Sequence, residues 1–418
     1  MYIKSLKIEN FRCVSEFDFD CAKNMNVLVG INGAGKSTIL HAIDILMSWL
    51  IARLKNMSGK GYALLDDDIT YGKDFCRLEV VLDNGVEWKL FKQRSSLRTK
   101  PLDKTKLEEM TAFANKVIMD NQKSCVIRNI PLYDSYGVSR VVDSTPVRGR
   151  KHHALEMLDV YNKDLESKMN FQSFFNWFKE REDIENEKLR ESGVLVEDSQ
   201  LRAVRLAIET ALPGFKNLKV QRSPRCFTIE KYGERIKFDV LSDGEKSYVV
   251  LVADIARKLS MTNPDVHNPL DGFGVICIDE IDLHLHPSWQ REIVPRLRSV
   301  FKNCQFFIST HSPFVLSNTN RNLGDRLFLL KNGKVLPITA NVYGKRVDSI
   351  LAEELGLTSL RGKETQEHID RVWEQLRLGN VHSDSFQSGM KWLKENLAPS
   401  DSEFMQIAVH EKLMQRRG

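Results

Sequence analysis

Residues 26–38 read NVLVGINGAGKST. An apolar run, Asn26–Gly30, enters a glycine-rich turn, and from Lys36 to about Leu54 the apolar residues recur with helical spacing, so the order is strand, loop, helix. That is the setting in which the pattern G-x-x-x-x-G-K-[ST], here Gly30 to Ser37, is diagnostic of a phosphate-binding loop. Gly30, Asn32, Gly33, Ala34 and Gly35 let the backbone N–H groups wrap a phosphate, and Lys36 reaches the β- and γ-phosphates. The Ser37 hydroxyl is a Mg2+ ligand, and Thr38 follows it in the first turn of a helix whose N-terminus favours negative charge. ATP and Mg2+ are the expected cofactors.

Two further strands carry the rest of the chemistry. Val275-Ile276-Cys277-Ile278 is an apolar strand ending in Asp279 and Glu280. Behind a phosphate loop the first carboxylate is placed to hold Mg2+ and the second to act as general base toward water. Phe306-Phe307-Ile308-Ser309-Thr310-His311 is another strand, and His311 at its end is a candidate contact for the γ-phosphate or the attacking water. Both strands read as parallel members of a buried sheet, with polar residues at their carboxyl ends.

Leu241-Ser242-Asp243-Gly244-Glu245 has two readings. Ser242 and Glu245, three apart and just before an apolar run, form a capping box, in which each side chain satisfies a free N–H at a helix start. The same letters look like the signature loop of ABC-type ATPases, which contacts a nucleotide held by another subunit.

Composition restricts the class more than the chemistry. The 418 residues are enough for two or three folding units. Lys and Arg number 61 against 56 Asp and Glu, a net charge of +5 that is too small to require a nucleic-acid partner globally, so any such surface must be local. One basic stretch, 91–106, could track a phosphate backbone or be an ordinary solvated loop; Arg148-Gly149-Arg150-Lys151 is a shorter candidate. The seven cysteines form no Cys-x-x-Cys and suit a reducing compartment. The N-terminus alternates apolar and charged residues, so neither export nor a membrane span is expected and the localisation reads as cytoplasmic. The aromatic patch Phe171–Phe178 reads as core packing.

The order of GINGAGKS, LSDGE, ICIDE and STHSP resembles the ABC-type ATPase heads of the SMC, RecF and OLD-like group, over Tyr2 to about Leu336. The resemblance implies an α/β head with a mixed and parallel sheet and flanking helices, carrying a helical insertion and a helical C-terminal tail. It makes Lys36, Glu280 and His311 the catalytic set, and Ser37 and Asp279 the metal ligands. It puts Arg12, in the opening IENFRC, near the nucleotide. Ser242, Gly244 and Glu245 become the half-site offered to a partner's ATP, so a homodimer or higher even-numbered oligomer follows. His284 and His286 could face one way and ligate metal, but the resemblance places them in a loop crossing the dimer interface. No Gln-containing loop can be placed; Tyr136-Gly137-Val138-Ser139-Arg140 resembles an element of OLD-like ATPases.

The expected organisation is 1–140 and 236–340 for the two parts of the head, 141–235 for a mainly helical insertion, and 341–418 for a helical region. That last region is too short for the nuclease domain of OLD proteins. Its segment 343–380 is similar to the C-terminal region of PtuA-type ATPases from Septu and related retron antiphage systems. The similarity implies a separate HNH nuclease of PtuB type docked on the tail. It leaves open a reverse transcriptase with its RNA–DNA product, and DNA or RNA. A RecF-like repair clamp without a dedicated nuclease is the alternative function.

Overall fold

Period-two alternation of apolar and charged residues produces the strands β1 (Ile3–Phe11) and β2 (Val14–Asp20), which pair antiparallel. The all-apolar segment that follows is β3 (Met25–Gly30), with every residue buried, and it runs through the glycine turn into α1 (Lys36–Lys55). The Asp83-Asn84-Gly85 turn joins β4 (Phe75–Leu82) to β5 (Glu87–Gln93) antiparallel. Then come α2 (Glu108–Lys123) and β6 (Leu132–Tyr136). In this computed structural model the described residues are 1–96, 100–123, 130–138, 171–194, 196–223, 225–263, 266–357 and 359–415. Ser139, Arg140 and all of 141–170, Arg148–Lys151 included, therefore lie outside them.

Within the stretch expected to be mainly helical, α3 (Phe171–Ser192) and α4 (Ser199–Ala211) are joined by a small antiparallel sheet of β7 (Phe215–Arg222), β8 (Arg225–Lys231) and β9 (Glu234–Lys237). Its signals are Phe215, Leu218, Val220, Phe227 and Ile229 turned inward, and a Tyr232-Gly233 turn in which both residues have positive φ, as a tight hairpin needs. The density of lysines and arginines between these apolar positions hides the period. Phe174, Phe175 and Phe178 are buried against Phe227, so the aromatic patch is core.

The chain continues through α5 (Asp243–Thr262), β10 (Gly274–Ile278), α6 (Pro287–Val300), β11 (Cys304–Thr310), the short α7 (Pro313–Leu316), β12 (Arg326–Lys331) and β13 (Lys334–Pro337). The ten-stranded sheet has the order β5-β4-β1-β2-β13-β12-β3-β11-β10-β6. From β12 to β6 all neighbours are parallel, while β5, β4, β1 and β2 form an antiparallel wing. This mixed sheet with flanking helices is the α/β class expected. Buried Gln305 ties its layers, accepting from Ile3 N–H at 2.7 Å and donating to the Ala22 carbonyl at 2.7 Å.

Among the described residues one helix, α1, is long and apolar enough to cross a membrane by length and composition; half of it is buried inside the protein. Ile39, Ile43, Leu46 and Leu50 share a core with Ile8, Leu78 and Trp88 of the antiparallel wing, which makes α1 the support of the glycine-rich turn that precedes it.

Two compact units result, Met1–Lys345 and Arg346–Gly418. The second contains α8 (Val347–Glu353), α9 (Lys363–Arg377), α10 (Asp384–Asn396) and α11 (Ser402–Gln415). Its own core is Ile369, Val372, Leu376, Phe386, Met390, Leu393 and Ile407, so it is a helical unit in its own right.

Candidate functional site

Because β3, β11 and β10 are adjacent and parallel, their carboxyl ends bring Gly30, Thr310 and Ile278 to one edge of the sheet, where ligands bind in open α/β folds. The loop after Gly30 turns through Gly35, whose φ of 106° belongs to the left-handed region; a Cβ there would lie 3.0 Å from Val14 Cγ2 and 3.1 Å from Cys13 Sγ. Gly35 is also the N-cap of α1, with no side-chain cap and no acidic residue in the first turn. The free N–H groups and positive end of that helix are therefore available to an anion.

Lys36 is buried and its ammonium donates to the carbonyls of Gly30 at 3.0 Å and Ile31 at 3.1 Å. Burial lowers its pKa, and the carboxylates of Asp279, Glu280 and Asp282 oppose that shift, which places all three within electrostatic reach of the ammonium. His311 is lowered too, first by burial and then by Lys36, while Asp282, Glu280 and Asp279 push the other way. One cation, one imidazole and three carboxylates thus share the sheet edge. Asn32, Gly33 and Ser37 are exposed at its mouth and Ala34 is buried beneath.

Ser309 holds the carboxylate pair and was not singled out by sequence. Fully buried in β11, it donates its hydroxyl proton to Asp279 and accepts from the Glu280 N–H at 2.7 Å. Glu280 has a φ of 47°, an unusual backbone for a non-glycine residue, and the Ser309 hydroxyl is what its amide turns toward. Next in the strand, Thr310 points the opposite way and donates to Asp282 at 2.5 Å. The serine and threonine before His311 therefore grip both sides of the Asp279–Asp282 turn; two hydroxyls side by side at the end of an otherwise apolar strand were the available signal.

Arg12 sits in a turn that touches this loop. Its φ is 50°, its guanidinium donates to Asp68 at 2.9 Å, and neighbouring Cys13 is 3.2 Å from the Thr38 hydroxyl. His286 accepts from Ser288 N–H at 3.3 Å as the N-cap of α6 ahead of Pro287, and no cluster of three metal-ligating side chains occurs among the described residues.

Leu241–Glu245 is built differently. The capping box forms: Glu245 N–H donates to Ser242 Oγ at 3.3 Å and Ser242 N–H donates to Glu245 at 3.1 Å. Lys231 then pairs with Glu245 at 2.7 Å. Burial raises the Glu245 carboxyl, but the Lys231 and Ser242 bonds outweigh it and the net pKa is lowered. Gly244 is buried where a Cβ would come within 2.2 Å of the His284 carbonyl oxygen, so only glycine allows α5 to approach the 281–286 turn so closely. Ser242 is exposed.

Helix α5 is locked to the sheet by buried charge. Lys258 of α5 sits between Asp134 of β6 at 2.5 Å and Asp254 at 2.7 Å, and Tyr136 donates to Asp254 at 3.0 Å. Burial alone would lower the Lys258 ammonium, but the two aspartates raise it. The Tyr136 carbonyl in turn accepts from Asp279 N–H at 2.8 Å, so one run of contacts links α5 to the carboxylate strand.

The chain matches the family described as "AAA domain" over residues 5–214, half of its length. It is 31% identical to the "Retron Ec83 probable ATPase" of Escherichia coli, covering 82% of this chain and 74% of that one. It is 30% identical to the "Retron Vc95 probable ATPase" of Vibrio cholerae serotype O1 biovar El Tor, over 84% of this chain and 78% of the other. To the "Septu protein PtuA" of Bacillus thuringiensis it is 24% identical, with 86% of each chain covered.

Proposed function

The chain belongs to the ABC/SMC-like, AAA-domain family that includes the retron Ec83 and Vc95 probable ATPases, and from that premise we propose an ATPase that closes as a head-to-tail dimer around two ATP molecules and governs an associated HNH nuclease in antiphage defence. The observation that carries the proposal is the convergence of Lys36, Asp279, Glu280 and His311 on one sheet edge while the exposed Ser242 finds its partners elsewhere.

The residues present fit MgATP: an uncapped helix start, a buried ammonium satisfied by its own loop carbonyls, and facing carboxylates. Bound MgATP supplies the phosphoanhydride to be cleaved and the negative charge that Lys36 faces. Gly30 to Gly35 and the first turn of α1 offer N–H donors, Lys36 would neutralise phosphate charge, and Ser37 with Asp279 would hold the metal. Glu280 takes a proton from the attacking water, and Ser309 fixes the backbone from which it does so. His311, with its pKa lowered, is the neutral partner. Ser242, Gly244 and Glu245 belong to the half-site presented to the second chain, and Arg12 lies beside the loop as a further nucleotide contact.

The helical unit Arg346–Gly418 is the proposed nuclease-docking element, separate in its core from the ATPase unit. Purification of the full chain with and without an HNH protein encoded beside it tests the whole reading. ATP-dependent dimerisation and co-purification of the nuclease, abolished by removing 346–418, are expected. A chain that binds no ATP sinks the first half; unchanged nuclease association after truncation sinks the second and favours a repair clamp of RecF kind.

A further inference from the structure

One face of the β7–β9 sheet is edged by exposed cations, with Thr228 buried between them, and its chemistry is one-sided. Residues 215–237 hold seven Lys and Arg against two Glu, an excess of five that equals the net charge of the entire chain. The rest of the protein is therefore balanced, and the surplus charge is concentrated in one small sheet.

Register decides where that charge points. Lys219, Thr228 and Lys237 are neighbours in one cross-strand row, and Lys216, Glu230 and Arg235 in another. A bulge between Lys216 and Lys219, with Asn217 at a φ of 52°, changes the strand's parity so that both lysines come to the same face. Phe215, Leu218, Val220, Phe227 and Ile229 take the opposite face and are buried. The Arg235 guanidinium reaches Thr228 Oγ1 at 3.1 Å, which confirms that the two rows share a side. Lys216, Lys219, Arg235 and Lys237 are all exposed, and Glu230, their one acidic neighbour there, is held by Asn217 at 2.7 Å. Among the described residues Lys216, Lys219 and Lys237 have no ion-pair partner.

The basic stretch 91–106 behaves otherwise. Lys92 pairs with Asp66 at 3.1 Å, the Arg94 guanidinium donates to the carbonyls of Lys73, Ile69 and Thr70, and the one acid of the stretch, Asp103, is held by Lys89 of β5 at 2.7 Å. Lys92 and Arg94 are thus used to close a loop, and its exposed Lys100, Lys104 and Lys106 lie along an irregular segment instead of being ranked in cross-strand rows.

We propose that the basic face of β7–β9 is a docking surface for the phosphate backbone of a nucleic-acid duplex, carried by the exposed Lys216, Lys219, Arg235 and Lys237. Strands are about 4.8 Å apart, so Lys219 and Lys237 stand roughly 10 Å from each other across Thr228. A flat array on that scale meets several phosphates of a polymer bearing one charge per about 1.7 Å of axis. Among the described residues the two cross-strand rows carry no aromatic side chain, and the exposed Tyr232 lies in the β8–β9 turn at the end of the sheet, so the rows offer no series of platforms for single-stranded bases and suit duplex. Binding here is indifferent to base sequence, because backbone contacts position without specifying. The surface lies close to the half-site: β9 leads through residues 238–240 into Leu241, and Lys231 at the end of β8 pairs with Glu245.

The test is fluorescence anisotropy of a labelled 30-bp DNA duplex (~30 bp spans several phosphate contacts) with the full chain, without nucleotide, across a salt series. Charge reversal at Lys216→Glu, Lys219→Glu and Lys237→Glu together should weaken binding by about tenfold or more and reduce the slope of log affinity against log salt by about 2.7, three phosphate contacts' worth. Reversal of Lys100, Lys104 and Lys106 to Glu should leave both quantities unchanged. No duplex binding by the unaltered chain, an unaltered affinity in the sheet variant, an equal loss in the loop variant, or preference for a single strand of the same length would each overturn the proposal. Retained binding of a fluorescent ATP analogue certifies the fold of the sheet variant; should it be lost, the Gln substitutions at the same three positions give the deciding comparison. The readout needs no ATPase activity, so it stands or falls apart from the nucleotide reading.

Discussion

The two halves proposed to meet across a nucleotide are finished to different degrees within one chain. At the carboxyl ends of β3, β10 and β11 a buried ammonium, an imidazole and three carboxylates face one another, and burial lowers the pKa values of Lys36 and His311 against the opposing pull of those carboxylates. At Leu241–Glu245 the polar groups are satisfied locally, by a capping box and by Lys231, while Ser242 stays exposed. In the first arrangement burial prevails over the opposing charges at Lys36 and His311; in the second the burial of Glu245 is outweighed by its own bonds to Lys231 and Ser242. A half-site of the second kind acts only when something is brought to it, which is the physical argument for a dimer.

That contrast breaks first at Glu280. Glu280→Gln keeps size and backbone but removes the proton acceptor, and turnover should fall by about a hundredfold to ten-thousandfold while nucleotide affinity is kept. A variant that still turns over ATP at the parental rate removes Glu280 from the chemistry. Lys36→Ala comes next: it deletes charge-assisted donors worth about 1.5–3 kcal/mol each, so ATP should bind on the order of a hundredfold more weakly by fluorescence titration. Mixing makes the contrast sharper. Lys36→Ala and Ser242→Arg chains, each inactive alone, should recover ATPase activity when combined, since the heterodimer has one site with both halves intact. Activity that never returns on mixing leaves Leu241–Glu245 as a helix cap only, or requires both sites to fire together.

Much of the first half is legible in sequence, because its parts are fixed by local geometry: a glycine-rich turn between strand and helix, and apolar strands ending in Asp279-Glu280 and His311. What sequence conceals is the lateral order of strands. Ser309 becomes important only because β11 lies beside β10, a non-local fact that no spacing along the chain reveals. The β7–β9 sheet is hidden for another reason, since its bulge at Asn217 breaks the alternation by which strands are recognised. The helical tail, by contrast, is plain from its periodicity, as a unit whose core is made by its own helices should be.

Ser309 tests whether the first half owes its geometry to its neighbour strand. Ser309→Ala leaves the Glu280 N–H and one Asp279 oxygen without that partner, a penalty of about 1–3 kcal/mol, and the expected result is a tenfold to hundredfold lower kcat with KM unchanged. Ser309→Thr, which keeps the hydroxyl, should restore most of the rate. A variant in which KM rises and kcat does not would show that the hydroxyl supports binding or folding and not the position of the general base.

The smallest effects belong to the second half, and their pH dependence separates its two local devices. Ser242→Ala removes the cap and should lower stability by about 1 kcal/mol at any pH where the protein is folded. Glu245→Gln is different, because Gln can still serve the capping box but cannot pair with Lys231. The Glu245 carboxyl has its pKa lowered in the folded chain, so its ionised form stabilises the fold above the unfolded-state pKa, and that contribution disappears as pH drops through the lowered folded value. The melting temperatures of the parent and Glu245→Gln should therefore differ at pH 7 and converge in acid, while the gap for Ser242→Ala persists. If the Glu245→Gln gap holds constant with pH, the Lys231 pair contributes nothing, and the link between the basic sheet and the Leu241–Glu245 turn is a contact without energy.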